Sequence, residues 1–494
     1  MLQTTFSSTN ENQFDDKFKR EVEEKIKNFD FKTQTTQDKN TFELKELNIV
    51  IKNLNKKSAS GEDKISNLMI QNTTQEFRKI ILHLINETVK QSKLPKNWKS
   101  SLISMIPKKQ INSCNPKDYR PISLTSCLAK LSERLIMIRF KEFLDKNKIT
   151  IKQQSGFRQK RQTKDNIFFL TQKAIETLNR GKRMCTIFFD IASAFDKVWH
   201  DGVIYKLIKL KCPKYIICWL KDFLTNRVFA VRINEWITKQ LPISTGVPQG
   251  AVLSPVLFSL FINDIPINYF KNKNYSLLFA DDLCAFYIYK KKRTSVKQVQ
   301  LYLDRIEQWL KSWRLMMAPH KCNYIVFSNN KSNQEEEDLD IKLFGENINK
   351  SDNPTFLGIR FDKYISFKNQ LDYLKDACMK RINVLKVLSN KSWGLSKHTL
   401  TQVYNSLIRS LLEYSSIIYP CFSTTNLTLL EKIQFKCLKI INRKSKFSSN
   451  SELKNFSDYL SIEERFDDLN LKYIKSSLCN NNELIKDLLS EYLN

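Results

Sequence analysis

The stretch Tyr275-Ser276-Leu277-Leu278-Phe279-Ala280-Asp281-Asp282-Leu283-Cys284-Ala285-Phe286-Tyr287 sets two adjacent carboxylates inside an otherwise apolar, strand-forming run. Its pattern predicts a β-hairpin over Leu277 to Tyr289 with Asp-Asp at the bend. Two ionised carboxylates about 4 Å apart repel by about 4 kcal/mol at an effective dielectric near 20, so an apolar hairpin keeps them only where a cation offsets the repulsion. A divalent metal ion would do so. The alternative is a solvated hairpin tip at which Asp-Asp is turn chemistry alone.

A second run bears on that choice. Met184-Cys185-Thr186-Ile187-Phe188-Phe189-Asp190 reads as a buried strand ending on a carboxylate, and Ala194-Phe195-Asp196-Lys197-Val198-Trp199 follows with a helical pattern. Asp190 therefore stands at a strand-to-helix junction, a place from which a carboxylate could meet the hairpin pair from a neighbouring strand. Three acidic groups converging from two strands are what a pair of Mg²⁺ ions requires, one activating a hydroxyl nucleophile and one steadying the leaving oxygens of a triphosphate. Asp190, Asp281 and Asp282 are the candidate catalytic residues and metal ligands. Asp196 reads as a helix-start or surface carboxylate, outside the metal set.

With 494 residues, the chain can bury a sizeable core in two or three packed units. Lys and Arg total 81 against 51 Asp and Glu, a formal charge of +30 on a chain that is 41% hydrophobic. The excess is spread over the whole length, which points to a broad basic surface suited to a polyanion; codon bias toward Lys and Asn in an A+T-rich genome would give the same composition. The 11 Cys stand singly, with no C-x-x-C pair and four His in the chain, so neither a zinc finger nor a disulfide framework is indicated and a reducing, intracellular location is expected. Residues 1–20 are polar, and no run of about 18 apolar residues occurs, so a soluble protein without a membrane partner is expected.

Residues 15–55 and 74–92 read as amphipathic helices, joined by the turn-like Ser58-Ala59-Ser60-Gly61-Glu62-Asp63. From Leu94 to about Lys363, short β-rich runs alternate with helices: Leu102 to Ile106, Met184 to Phe189, Leu277 to Tyr289 and Tyr324 to Phe327. After Phe367 the pattern is helical again, over Leu371 to Leu388, Thr399 to Ile418 and Leu427 to Ile441. The fold class expected is α+β, divided as a helical extension at 1–93, a mixed region at 94–363 and a helical region at 364–494. Residues 329–340 are a low-complexity loop, and no internal repeat is present.

Phe188-Phe189-Asp190-Ile191-Ala192-Ser193-Ala194-Phe195-Asp196 and Phe279-Ala280-Asp281-Asp282 resemble the catalytic motifs of reverse transcriptases, the second in the form seen in non-LTR retrotransposons. Between them, Ser244-Thr245-Gly246-Val247-Pro248-Gln249-Gly250-Ala251-Val252-Leu253-Ser254-Pro255 is similar to the family's glycine-rich motif. Upstream, Ile106-Pro107-Lys108-Lys109 and Asp118-Tyr119-Arg120-Pro121-Ile122-Ser123-Leu124 resemble the fingers motifs, and Gln154-Ser155-Gly156-Phe157-Arg158 the segment after them. Downstream, Trp313 to Lys321 and Phe356-Leu357-Gly358-Ile359 look like the last palm motifs, while Leu412-Glu413-Tyr414 and Leu438-Lys439-Ile440-Ile441 are similar to the thumb of jockey-like elements. Each piece alone is weak; so many in family order are not. Two loops depart from the pattern: the family often has Pro-Gly where Ser60-Gly61 stands, and Asn where Ala318 precedes Pro319.

The resemblance implies a right-hand polymerase of fingers, palm with an antiparallel sheet, and helical thumb, carrying out RNA-directed DNA synthesis by two-metal transfer of dNTPs onto a primer 3′ hydroxyl. It implies two Mg²⁺ ions, with Mn²⁺ as a substitute, held by Asp190, Asp281, Asp282 and the Ile191 backbone carbonyl. Lys108, with Lys109 as its rival, and Arg120 would clamp the triphosphate, and Gly246 and Gly250 would let backbone approach nucleic acid. Gln249 would contact template or nucleotide, or else cap the following helix. Lys321 resembles the family's proton donor to pyrophosphate, against a plain solvated lysine. Phe195 resembles the aromatic sugar gate that excludes a 2′ hydroxyl, against a core phenylalanine. Implied partners are an RNA template, a DNA primer or nicked target DNA, and dNTPs; the oligomeric state stays open. Nuclear action with a cytoplasmic ribonucleoprotein stage is implied as well, and Lys290-Lys291-Lys292-Arg293 reads either as a targeting signal or as a phosphate contact. Complete elements carry an endonuclease ahead of the polymerase, which the short N-terminal stretch cannot contain, and no distinct ribonuclease H region is apparent, so a polymerase segment of a longer or decayed element is expected. The competing readings are a non-catalytic nucleic-acid-binding relic and an RNA-dependent RNA polymerase, the latter a poor fit to Phe195 and Phe279-Ala280-Asp281-Asp282.

Overall fold

The computed structural model describes residues 14–32, 41–108, 115, 118–191, 193–267, 274–329, 338–390, 392–445, 447–449 and 459–493. Nine strands carry labels here: β1 (Ser100–Pro107), β2 (Tyr119–Thr125), β3 (Arg183–Asp190), β4 (Arg227–Ile233), β5 (Trp236–Ile237), β6 (Leu241–Ile243), β7 (Asn274–Phe279), β8 (Asp282–Tyr289) and β9 (Asn323–Phe327). They fall into two compact units, each assembled from three stretches of sequence: Met1–Phe157 with Ile191–Pro266 and Asp304–Ala318, and Arg158–Asp190 with Ile267–Leu303 and Pro319–Asn494. These units group residues by contact, a different kind of boundary from the sequence-order divisions at 93 and 363.

The first unit is built on a sheet of order β2-β1-β4-β5, with β6 also paired to β4. β1 and β2 run antiparallel from Ser101↔Thr125 to Pro107↔Tyr119, and β4 lies parallel to β1 from Ser100↔Val228 to Ser104↔Arg232. Alternation along β1 and β4 puts Ile103, Phe229 and Val231 on one face, where Met105, Leu241 and Ile243 close over them. In place of continuous helix over 15–55, the described residues form two helices, Asp16–Lys27 and Leu44–Lys52. Asp15 caps the first through the Phe18 N–H, and a Glu43/Glu46 capping box opens the second. The helix expected at 74–92 runs Gln75–Gln91, and its buried Thr88 accepts from the indole N–H of the fully buried Trp219.

The second unit has a five-stranded sheet in which β9, β3, β8 and β7 are antiparallel neighbours and the short strand Asn349–Lys350 adds in parallel to β9. β3 is central and buried at every position from Met184 to Phe189, which is why its sequence is an unbroken apolar run without alternation. Phe188, Leu277, Phe286 and Phe327 share one core with the helices Thr163–Asn179, Lys368–Leu388, Thr424–Ile441 and Ile462–Cys479. The helical stretch expected over Thr399 to Ile418 is present with an uneven period: helix Lys397–Tyr404, a π-helical turn at Asn405–Arg409, helix Ser410–Tyr414 and a 3₁₀ segment Ser415–Cys421. Most of the loop expected at 329–340 lies outside the described residues. No helix among the described residues is long and apolar enough to cross a membrane.

Candidate active site

In the second unit, β7 and β8 pair from Asn274↔Tyr287 to Phe279↔Asp282, leaving Ala280-Asp281 as a two-residue turn. The bend therefore takes one aspartate, and Asp282 is already the first residue of β8. Ala280 adopts φ +57°, the left-handed region that such turns demand and that Gly fills without strain. Across the β3–β8 ladder Asp190 lies directly opposite Asp282, so the two carboxylates share a face of the sheet. Burial, followed by the charges of Asp281 and Asp190, pushes Asp282 up to about 6. Lys321, at the end of the 3₁₀ turn Pro319–Lys321, places its Nζ 3.4 Å from Asp190 Oδ2.

β7 is the outer strand of this sheet, and its backbone is anchored from the helix Thr163–Asn179: the fully buried Asn166 donates Nδ2–H to the Leu278 carbonyl at 2.9 Å, three residues before Asp281. Nothing in the sequence marks Asn166, because its partner is 112 positions away. Among the described residues no group of three or more His, Cys, Asp or Glu side chains is arranged to hold a metal ion. The donor set still fits divalent cations. It consists of hard carboxylate oxygens; burial first, and then the charges of Asp281 and Asp190, push Asp282 up to about 6, and a cation between them would offset that repulsion.

In the first unit, Ile191 is 3% exposed and bridges to Met317, and Ala192 lies outside the described residues. The helix expected from Ala194 is instead a single 3₁₀ turn, Ala194–Lys197, entered through Ser193 at φ +49°; the α-helix begins at His200. Phe195 is half-buried, stacked on Phe258 (centroids 4.6 Å apart, planes 21° apart) and met edge-on by Phe157 at 5.8 Å.

The surface position expected for Asp196 is overturned. It is 5% exposed, and its Oδ1 accepts the Gln249 Nε2–H at 2.8 Å. Burial pushes Asp196 up to about 6, opposed by the Gln249 hydrogen bond and by the Lys197 and Lys108 charges. The loop 244–250 buries it by closing on the 3₁₀ turn: Gly246 N–H donates to Val198 O and Val247 N–H to Phe195 O, both at 2.8 Å, and the Thr245 hydroxyl donates to Asp196 O at 3.2 Å.

The same closure changes the reading of the glycines. A Cβ on Gly246 (φ +89°) would stand 2.6 Å from the Asp196 carbonyl, and one on Gly250 (φ +131°) 2.6 Å from the Ser123 carbonyl. Both admit the protein's own backbone, where approach to nucleic acid was expected. Nor does Gln249 cap the following helix, Ser254–Phe261. That end is held by the buried Glu133, whose Oε2 accepts from the Val252 and Leu253 N–H groups at 2.7 and 3.1 Å. Burial pushes the Glu133 carboxyl up, against these hydrogen bonds and the Arg227 charge. Its place among the buried Leu131, Leu135 and Ile136 of the helix Cys127–Lys146 was the available signal for it. Lys108 and Arg120 are exposed at one end of the β1–β2 ladder, where Ile106 pairs with Arg120 and the Lys108 N–H donates to Asp118 O at 2.8 Å. Lys109 lies outside the described residues.

The family model described as reverse transcriptase (RNA-dependent DNA polymerase) matches residues 106–361, more than half of the chain. The chain belongs to this family. It is similar to the RNA-directed DNA polymerase from mobile element jockey of Drosophila melanogaster, at 27% identity over 90% of this chain and 49% of that protein. It is also similar to the probable RNA-directed DNA polymerase from transposon BS of the same organism, at 29% identity over 81% of this chain and 44% of the relative. The chain thus spans about half the length of the curated relatives it matches. Among solved structures, telomerase from Candida tropicalis in complex with a telomeric RNA fragment aligns with 78% of this chain and 68% of its own at 11% identity and a TM-score of 0.39, a likeness too loose to bear on function. The resemblance to non-LTR retrotransposon reverse transcriptases is borne out, and with it the α+β class of the right-hand polymerases.

Proposed function

We propose that this reverse transcriptase copies RNA into DNA by joining dNTPs to a primer 3′ hydroxyl, with Asp190, Asp281 and Asp282 at its catalytic centre. The observation that carries the reading is the pairing of Asp190 with Asp282 across β3–β8, with Asp281 next in the turn, on a chain of this family. The primer 3′ oxygen attacks the α-phosphorus in line, forming the new ester as the bond to the β-phosphate's bridging oxygen breaks, and pyrophosphate leaves with that electron pair. Asp190, Asp281 and Asp282, with the Ile191 carbonyl, would hold two divalent cations, Mg²⁺ or in substitution Mn²⁺. When bound, these ions supply the charge that makes the hydroxyl acidic and neutralises the departing pyrophosphate.

The remaining roles fall to side chains of this chain. Lys108 and Arg120 bind the triphosphate, Arg120 through a forked pair of hydrogen bonds. Lys321, released from Asp190, returns a proton to pyrophosphate. Gln249, with one amide N–H committed to Asp196, keeps its carbonyl and second N–H for nucleotide or template. Phe195, braced by Phe258 and Phe157, lies under the sugar and leaves no room for a 2′ hydroxyl. The basic excess of +30 serves the RNA template and a DNA primer or nicked target. Action in the nucleus, after a cytoplasmic ribonucleoprotein stage, is part of this proposal.

Extension of a labelled DNA primer on an RNA template with dNTPs, with Mg²⁺ and then Mn²⁺, tests the reading. Template-dependent DNA product is expected. Tight RNA binding without incorporation under either ion would replace the polymerase with a binding relic.

A further inference from the structure

Trp236 is 83% exposed, at the tip of the β4–β5 hairpin, and its cross-strand partner Ile233 is 60% exposed. Leaving a tryptophan in water forgoes one of the largest burial gains available to a side chain, and this tip is not a loosely held loop. Asn234 sits at φ +55° in the two-residue turn Asn234-Glu235. Behind it Thr238 latches the ribbon to Val231 twice, its N–H donating to the Val231 carbonyl and its hydroxyl accepting the Val231 N–H, both at 3.0 Å. Register puts Ile233 and Trp236 on one face of the ribbon, and Arg232 and Ile237 on the other. Arg232, Ile237 and Lys239 are exposed, and Glu235 is the single acid between Arg232 and Lys239. Because β4 runs parallel to β1, the tip emerges at the end of the sheet that also carries the exposed Lys108 and Arg120.

We propose that this hairpin tip is a stacking platform for the unpaired bases of single-stranded RNA, with Trp236 and Ile233 against a base and Arg232 and Lys239 near the phosphates. An exposed aromatic on one face of the ribbon tip, with Arg232 on the other face and Lys239 close by in sequence, on a chain with a net charge of +30, is complementary to an exposed nucleobase on a polyanionic strand; an uncharged apolar partner would leave the cations unused. The inference deepens the polymerase reading by naming where unpaired template is held.

The test uses the full chain and two probes: an unstructured RNA of about twelve nucleotides and a blunt RNA–DNA duplex, each followed by fluorescence anisotropy. Trp236→Ala should weaken the single-stranded RNA about tenfold and leave the duplex within about twofold, with Trp236→Phe recovering most of the loss. Since Trp236 packs on little, melting of the variants should match the parent. Unchanged RNA affinity in Trp236→Ala would overturn the proposal, as would loss of self-association in sedimentation without any change in RNA binding, which would make the tip a contact between copies. Extension at saturating template reads the polymerase separately: a parent chain that makes no DNA sinks the polymerase reading, whereas equal extension by parent and Trp236→Ala is expected here.

Discussion

Asp282 in one unit and Asp196 in the other are both pushed up to about 6, and burial is the largest cause for each. Their second causes have opposite sign. Asp282 is raised further by Asp281 and Asp190, whereas Asp196 is brought down by the Gln249 hydrogen bond and by Lys197 and Lys108. Beyond burial, Asp282 is opposed by like charges that a cation would offset, whereas Asp196 is held by an amide that already satisfies it. Two similar titrations thus mark two different uses of the same side chain.

The comparison breaks most directly at the acid cluster. Asp190→Asn or Asp281→Asn should lower primer extension on the order of 10²-fold or more while primer-template affinity stays within a few-fold, because a metal ligand is lost and the basic surface is not. Steady-state extension beside a binding titration measures both, and full activity in Asp281→Asn would remove the acid cluster from the chemistry.

Next in size is Phe195, which belongs to both uses at once. Phe195→Val should raise ribonucleotide incorporation relative to deoxynucleotide by about tenfold or more, with deoxynucleotide extension reduced only modestly. It should also lose the stack on Phe258, lowering stability by about 1 kcal/mol. Single-nucleotide incorporation of both sugars, beside a melting curve, separates gate from packing; an unchanged sugar ratio leaves packing alone.

A smaller effect distinguishes the tie from the ligand. Asp196→Asn keeps an oxygen for Gln249 Nε2–H and should retain activity within a few-fold, as expected of a residue outside the metal set, whereas Asp196→Leu leaves Gln249 unanchored and should cost about tenfold in extension. If Asp196→Asn is as inactive as Asp281→Asn, Asp196 belongs with the ligands.

The smallest effect is in pH. A carboxyl raised in the folded state makes folding less favourable above about pH 6, and that penalty fades as pH falls toward 3.8. In buffer free of divalent cations, Asp282→Asn and Asp196→Asn should therefore each melt a few degrees above the parent at pH 7.5, with the gap roughly halved at pH 5 and closing toward pH 3.8. Added Mg²⁺ should raise the parent's melting temperature at pH 7.5 and leave Asp282→Asn less affected; an equal response in the two would detach Asp282 from the cation.

Much of this was legible from residues in order. The unbroken apolar run before Asp190 predicts a central strand, since a strand covered on both faces has no polar alternate positions, and β3 is buried throughout. Strand alternation and helical spacing are local periodicities, so β1, the β7–β8 hairpin, β9 and the helices Lys368–Leu388 and Thr424–Ile441 could be read within a few residues of their ends, whereas Ile462–Cys479 and Glu483–Leu493 were not read. Local pattern also shows that acids interrupt apolar strands, which is what singles out Asp190, Asp281 and Asp282 as candidates for a cation. What contacts each acid depends on residues far along the chain, and there the tertiary structure decided. Asp196 is buried because a loop some fifty positions later folds over its turn, with Gln249 53 residues away as its partner. Gly246 and Gly250 prove to be small for the sake of the chain's own carbonyls, and the end of the helix Ser254–Phe261 is held by Glu133, about 120 residues earlier. Periodicity is a property of neighbours in sequence, so it yields strands and helices; burial and hydrogen-bond partners are properties of neighbours in space, and only the folded chain brings those together.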